Sequence, residues 1–390
     1  MLMIDLLKKL VEMKGSDLHI MAGLHQAIRI HGKIFPMTEY DRFTPQTAKE
    51  LIYAVLNDYQ KHTFEKDPQH RGELDFALGV SGLGRFRFNV HLQRGTVAAA
   101  VRALSMDIPQ LSELGLHESV KKFSTGKKGL VLVTGPTGSG KSTTLAALID
   151  IINRTREEHI ITVEDPIEYL HNSKKSYVTQ REVGISGDTL TFKNALKFAL
   201  RQDPDVILIG EMRDYETIGI AITSAETGHL VFGTLHTASA AKTISRIIDV
   251  FPAEQQPQVR SQLASNLIGV VSQILLPRAD RPGRVVANEV MFANAAVRNN
   301  IRSGKAEAIY QTIQTSGNEG MISMDQALTR LVKEGKIDFE TALPFMYDKI
   351  SIENIRSYRK VPASTPPYSQ GSSAENTASR TPPWERNSGS

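Results

Sequence analysis

The chain has 390 residues, of which 41% are hydrophobic and 23% charged, enough for two ordinary globular domains and a tail. Its 46 basic and 42 acidic residues leave a formal charge of only +4, and the signs are interleaved, so the balance demands no nucleic-acid partner. The lack of cysteine excludes a disulfide framework, cysteine-ligated zinc and thiol catalysis, and agrees with a reducing compartment.

Residues 2–14 place Leu6, Leu7, Leu10 and Val11 on one helical face, with Gly15 as a stop. Asp5, Lys8, Lys9 and Glu12 interrupt the apolar stripe, so this is not a secretory signal. LHIMAG and AIRIHGKIF read as strands joined by tight turns, and 45–60 as a helix. Leu74, Phe76, Leu78 and Val80 then alternate, Gly82 and Gly84 mark a turn, and Phe86, Phe88 and Val90 alternate again. That pattern is an antiparallel meander with one wet face. Arg85 and Arg87 share the wet face, and Arg102 lies on the polar side of the next strand. Residues 1–100 therefore read as a small α+β domain and 101–112 as a linker.

Within 113–360 the grammar changes. GLVLVTG is a continuous apolar run of buried parallel type, followed by a glycine-rich turn and a helix through Asn153. HIITVED, DVILIGE and HLVFGTLH repeat the strand pattern with helical stretches between them, which predicts an α/β domain with a parallel sheet. From about Ser239 to Lys360 the pattern is mostly helical. SNLIGVVSQILLP is too short and too polar to span a bilayer, which takes about 20 apolar residues. The chain is thus expected in the cytoplasm, able to dock on a membrane partner. Residues 361–390 contain five Pro, seven Ser, three Thr and two Gly, a composition that predicts disorder. The lone Trp384 sits there.

The chemistry concentrates in GPTGSGKST: Gly135, Pro136, Thr137, Gly138, Ser139, Gly140, Lys141, Ser142 and Thr143. It fits the phosphate-loop pattern between a strand and a helix. The glycines let backbone N–H groups turn onto phosphate oxygens, and the helix presents its positive end to the same anion. Lys141 can reach the β and γ phosphates of ATP, and the Ser142 hydroxyl can ligate Mg²⁺. In an open parallel sheet the ligand sits at the C-terminal strand ends, where Glu164, Asp165 and Glu168 follow one strand and Glu211 another. These acids could hold the Mg²⁺ shell and orient water; any one of them alone could instead cap a helix or pair with Arg213 or Lys174, but the set beside a phosphate loop reads as functional. His229 and His236 lack a third partner as metal ligands. They read as hydrogen-bonding groups sensing the γ-phosphate, or as structural histidines.

Taken in order, GPTGSGKSTTLAA, TVEDPIEY, ILIGEMRDYETI and AETGHLVFGTLHT resemble the secretion ATPase superfamily. SDLHIMAGLHQAIRIHG, GRFRFNVHLQRG and DVFPAEQQPQVRSQL extend the likeness to about residue 350 and narrow it to the PilT family, the retraction ATPases of type IV pili. The resemblance implies a PAS-like N-terminal domain, a RecA-like ATPase core and a homo-hexameric ring that hydrolyses ATP with Mg²⁺. It further implies a cytoplasmic place at the pilus base, peripheral to the inner membrane. The expected partners are an inner-membrane platform protein and, indirectly, pilin, with no nucleic acid. By the same resemblance Glu168 activates water with Glu164 beside it, and Glu211 stands where a Walker B aspartate usually lies near Mg²⁺. His229 and His236 form a histidine box, and Arg87 and Arg102, with Arg85 adjacent, reach the nucleotide.

The chain departs from the family twice. Its AIRNLIRE motif, tied to retraction, reads AVRNNIRS at 296–303, and AGLPP reads AGLHQ at 22–26. Assembly motors of pili or type II secretion usually carry a tetracysteine zinc site and a longer N-terminal region, which this chain lacks. A nucleic-acid translocase would call for dense basic clusters with interleaved aromatics. A non-catalytic scaffold would have lost Lys141, Glu168 or Glu211.

Overall fold

A computed structural model of the chain describes residues 2–356 apart from 31, 69, 105–106 and 185–186. The tail expected at 361–390, with Trp384, and the last residues of the expected second domain, 357–360, lie outside the described residues.

Helix α1 (Met3–Glu12) buries Met3, Leu6, Leu7 and Leu10. Val11, expected on that face, is 40% exposed. Met3, Leu6 and Leu10 set the middle of the buried stripe, and at 3.6 residues per turn Val11 falls beyond its edge. Strands β1 (Asp17–Ile20), β2 (Ala27–Ile30) and β3 (Lys33–Pro36) follow. The single helix expected over 45–60 is two, α2 (Pro45–Tyr53) and α3 (Asp58–Lys66). Asn57 accepts a hydrogen bond from the Gln60 N–H and so starts a new helix, as Thr44 does for α2 through the Thr47 N–H.

Strands β4 (Glu73–Val80), β5 (Gly84–Gln93) and β6 (Thr96–Ala103) complete a six-stranded sheet in the order β3-β2-β1-β6-β5-β4. All its pairings are antiparallel. Because β6 runs to Ala103, it continues past residue 101, where the linker was expected to begin. Phe86, Phe88 and Val90 point into this domain's own core with Leu18, Ile28 and Leu74. Arg85 and Arg87 take the other face, and Arg87 stands opposite Arg102 across the β5–β6 pair. Asp17 of β1 stands opposite Arg102 on its other side and pairs with it, which offsets the repulsion between the two arginines.

The second domain is built on β7 (Gly129–Thr134), α4 (Lys141–Thr155), β8 (His159–Glu164), β9 (Tyr177–Glu182), α5 (Phe192–Ala199) and β10 (Val206–Ile209). It continues with α6 (Tyr215–Glu226), β11 (Leu230–Leu235), α7 (Ala240–Asp249), α8 (Gln256–Asn266), β12 (Leu267–Pro277) and β13 (Arg284–Phe292). Helices α9 (Ala295–Arg302), α10 (Ala308–Thr315), α11 (Met324–Lys333), α12 (Phe339–Ala342) and α13 (Lys349–Arg356) close it. The sheet order is β13-β12-β7-β11-β10-β8-β9, parallel except for β13.

Residues 239–360, expected to be mostly helical, also hold two long strands that extend the sheet. SNLIGVVSQILLP supplies β12, paired in parallel with β7, and β13 returns beside it. A continuous apolar run buried on both faces carries no period to separate strand from helix. On β7, Leu130 and Leu132 face one core cluster while Val131 and Val133 face another on the opposite side of the sheet. This explains why the strand is apolar throughout. Among the described residues no helix is long and apolar enough to cross a membrane.

Candidate active site

The phosphate loop leaves the C-terminal end of β7 and enters α4. Gly135 adopts φ +142°, and a Cβ there would lie 2.1 Å from the Gln273 carbonyl oxygen and 2.7 Å from Ser139 Oγ, so only glycine fits. Gly140 takes the left-handed conformation at φ +88° and caps the start of α4. The loop wraps its own lysine, since Lys141 Nζ donates to the carbonyls of Gly135 (2.8 Å) and Pro136 (3.0 Å). Burial lowers the lysine's pKa, and attraction to Glu211 and Glu168 opposes that shift.

Thr137, Gly138, Gly140, Lys141, Ser142 and Thr143 line one wall of a cleft of about 380 Å³. Ser139 is buried behind the wall, its carbonyl accepting from Gln273 Nε2 at 2.8 Å, and Pro136 contributes its carbonyl to Lys141.

The facing wall carries Glu164, Asp165, Glu168, Glu211 and His236. Thr143 Oγ1 and Tyr169 Oη, 2.9 Å apart, tie the phosphate-loop helix to the acidic segment. Glu164 accepts from Thr162 Oγ1 (2.7 Å) and Gln180 Nε2 (3.2 Å). Burial nonetheless pushes its carboxyl up to about 7. Glu168, four residues on, is exposed to the cleft.

Glu164's folded pKa lies above its ordinary value of 4.5, so between that value and about 7 the folded state binds more protons than the unfolded one. Stability is therefore lost as pH rises through that window, by roughly 1–3 kcal/mol from this group. Glu164→Gln is expected to lessen the fall in Tm between pH 5 and pH 8. Glu289, fully buried and also pushed up to about 7, contributes a fall of the same sign that persists in the variant. Thermal unfolding at the two pH values checks this, and an unchanged slope in the variant contradicts it.

Glu211 follows β10. Its Oε1 accepts from Arg213 Nε (2.7 Å) and lies 2.9 Å from His236 Nε2. The Arg213 hydrogen bond, chiefly, holds this carboxyl below its ordinary range and hence ionised. The ion-pair reading considered from sequence is thus realised at Glu211 together with its place on the cleft wall, whereas Lys174 pairs with Asp150.

The two histidines are separated. His236 is in the cleft, but His229 precedes the six residues of β11, roughly 20 Å away along the strand. His229 Nδ1 lies 2.9 Å from the Ser224 carbonyl, and its own carbonyl accepts from the Gly129 N–H. In this chain His229 staples α6 to the start of β7, too far off to sense a γ-phosphate in its own cleft.

The arginines are not among the residues that line the phosphate-loop cleft of their own chain. Arg87 lines an adjoining cleft of about 210 Å³ between the two domains. Arg102, 64% exposed at its side chain, is held by Asp17 (2.9 Å), and Arg85 reaches Glu182 (3.3 Å). Two residues that sequence reasoning missed complete the cleft region. Gln273 on β12 braces the loop through Ser139 and accepts from Thr144 Oγ1 at 3.0 Å. Arg284, the first residue of β13, brings a further cation to the cleft. Both come from the segment read as helical, so no local signal placed them here.

The two departures from the family pattern are accommodated locally. In AVRNNIRS, Arg298 donates to the carbonyls of Ala264, Ser265 and Leu267 and so satisfies the C-terminal end of α8. Asn300 Nδ2 donates to Thr312 Oγ1 at 3.2 Å. In AGLHQ, His25 Nδ1 lies 2.7 Å from the Tyr40 carbonyl, which anchors a turn that lacks the usual prolines.

The sequence matches the family described as Type II/IV secretion system protein over residues 3–343. It is 49% identical over 332 residues to the Type IV pilus retractation ATPase PilT of Pseudomonas aeruginosa, covering 84% of this chain and 93% of that protein. The Twitching motility protein of Neisseria gonorrhoeae is 47% identical over 315 residues, 81% of this chain and 82% of that one. The crystal structure of the pilus retraction motor PilT with bound ADP superposes with a TM-score of 0.83 at 47% identity, covering 91% of this chain and 99% of that chain.

Proposed function

The chain belongs to the Type II/IV secretion system protein family, and from that premise we propose that it hydrolyses ATP to drive type IV pilus retraction, the pilin depolymerisation behind twitching motility. The observation that carries this reading is the gathering of Lys141, Ser142, Glu168, Glu211 and His236 on one cleft at the strand ends. The likeness to the two PilT proteins and the twitching protein supports retraction as the direction of the work.

In the proposed mechanism the backbone of the phosphate loop and the N-terminus of α4 take up the phosphates of ATP, and Lys141 meets their β and γ oxygens. Ser142 and Glu211 are the residues that would hold Mg²⁺. A hydroxyl and an ionised carboxylate are the hard oxygen donors this ion accepts, and when bound it offsets charge on the phosphates. Glu168 directs water at the γ-phosphate, and Glu164 below it holds a proton near neutral pH. His236, bonded to Glu211, links the state of the γ-phosphate to the loop after β11.

Arg87 and Arg102, which do not line their own chain's phosphate-loop cleft, act when the N-terminal domain closes over the nucleotide of the same or a neighbouring subunit. We assign His229 no contact with its own subunit's nucleotide. The N-terminal domain is PAS-like and the second RecA-like in this reading. Six chains form a ring that docks, from the cytoplasm, on an inner-membrane platform at the pilus base. Each domain opening and closing moves one unit of the ring and acts on pilin through that platform.

Phosphate release by the purified chain tests the chemistry. Hydrolysis of ATP that stops when Mg²⁺ is chelated is expected. No release from an assembled, nucleotide-binding protein would sink the motor.

A further inference from the structure

The acidic segment after β8 is a partition between two clefts. Asp165 and Pro166 line both the nucleotide cleft and the interdomain cleft, in which Arg87, Glu73 and Asp75 face Glu182 and Val183. Anything that moves this partition moves Glu168, two residues beyond Pro166.

Glu182 stands where such a movement would be transmitted. It ends β9 directly opposite Glu164 of β8, and its side chain is only 8% exposed. Its backbone is fixed on both sides: its N–H donates to Asp188 Oδ2 (2.8 Å), and its carbonyl accepts from the N–H groups of Asp188 (2.8 Å) and Thr189 (3.2 Å). Its side chain faces two ways through one atom. Oε2 accepts from the Ile167 N–H, the residue before Glu168, at 3.3 Å, and from Arg85 Nη2 of the N-terminal domain, also at 3.3 Å. The Arg85 contact is a single bond, since Arg85 Nε is buried and makes none among the described residues. A rigidly mounted carboxylate with one long, single-donor bond across a domain boundary is suited to being made and broken.

We propose that Glu182 is a positioning residue that couples the placement of the N-terminal domain, through Arg85, to the loop presenting Glu168. The inference rests on the reading of Glu168 as the group that directs water. With Arg85 engaged, Oε2 is shared between the guanidinium and the Ile167 N–H. With Arg85 withdrawn, the carboxylate bonds Ile167 alone and the loop shifts. Domain movement then reaches the chemistry by a second route beside Arg87 and Arg102, one in which Arg85 itself does not touch the nucleotide.

The test is a double-mutant cycle in the full chain, with kcat, KM and equilibrium nucleotide binding measured for Arg85→Ala, Glu182→Gln and the double variant. Glu182→Gln keeps an acceptor for Ile167 and removes the charge that Arg85 sees. Arg85 is part-exposed on a sheet face away from the core, so its removal leaves folding intact. Each single variant is expected to lower kcat about ten-fold with KM and nucleotide affinity within about two-fold, since a small misplacement of a reacting group is costly. The double variant is expected to be no slower than the slower single, and Arg85→Lys to recover part of the loss. Wild-type kcat in both singles, or losses that multiply to about 100-fold in the double, would overturn the coupling. Glu168→Gln in the same assay separates the two levels. If it is inactive while Arg85→Ala and Glu182→Gln are normal, only the coupling fails; if it is fully active, the Glu168 reading fails and takes this inference with it.

Discussion

Lys141→Ala is expected to slow ATP hydrolysis by at least 10²–10³-fold, on the order of the cost of removing a charge aimed at a developing anion. The lysine is held by two loop carbonyls and attracts both Glu211 and Glu168. Its loss leaves those carboxylates facing a polyphosphate with no ammonium between them, so nucleotide affinity falls as well. Arginine is not expected to substitute. Its planar fork cannot sit between the Gly135 and Pro136 carbonyls as a compact ammonium does. Phosphate release and nucleotide binding by the purified variants check both points. Hydrolysis within ten-fold of wild type would remove Lys141 from the mechanism.

Glu168→Gln is expected to lower kcat by roughly 10²–10⁴-fold, the usual worth of a positioned general base, while leaving nucleotide affinity nearly unchanged. The separation matters because two glutamates compete for the role. Glu168 is exposed to the cleft, whereas Glu164 is tied to Thr162 and Gln180 and pushed up to about 7 by burial. A carboxyl titrating near neutrality also suits a general base, so the comparison is direct. The larger loss is expected at position 168. If Glu164→Gln proves the more damaging change at equal affinity, the water-directing role moves to Glu164.

The parts legible in the sequence were those specified within a few residues. The phosphate loop needs glycine at Gly135 and Gly140 for conformations no other residue adopts readily, and its strand and helix are contiguous with it. The alternation of Phe86, Phe88 and Val90 against Arg85 and Arg87 placed the charged face of β5 correctly, because strand period maps directly onto burial. What the sequence could not supply depends on partners distant along the chain. Gln273 braces a loop more than a hundred residues earlier, and Arg284 reaches the same cleft from the next strand. Neither carries a local signal, and their segment had no period to read. His229 and His236 stand close together in the motif, yet an extended strand carries them to opposite ends of the sheet.

Retraction is the work proposed for this chain. Removing its gene from the host, imaging surface pili by electron microscopy and scoring twitching tests it most directly. Abundant pili on cells that no longer move are expected, because extension continues without its opposing motor. Bald, non-motile cells would contradict it and make the chain an assembly motor.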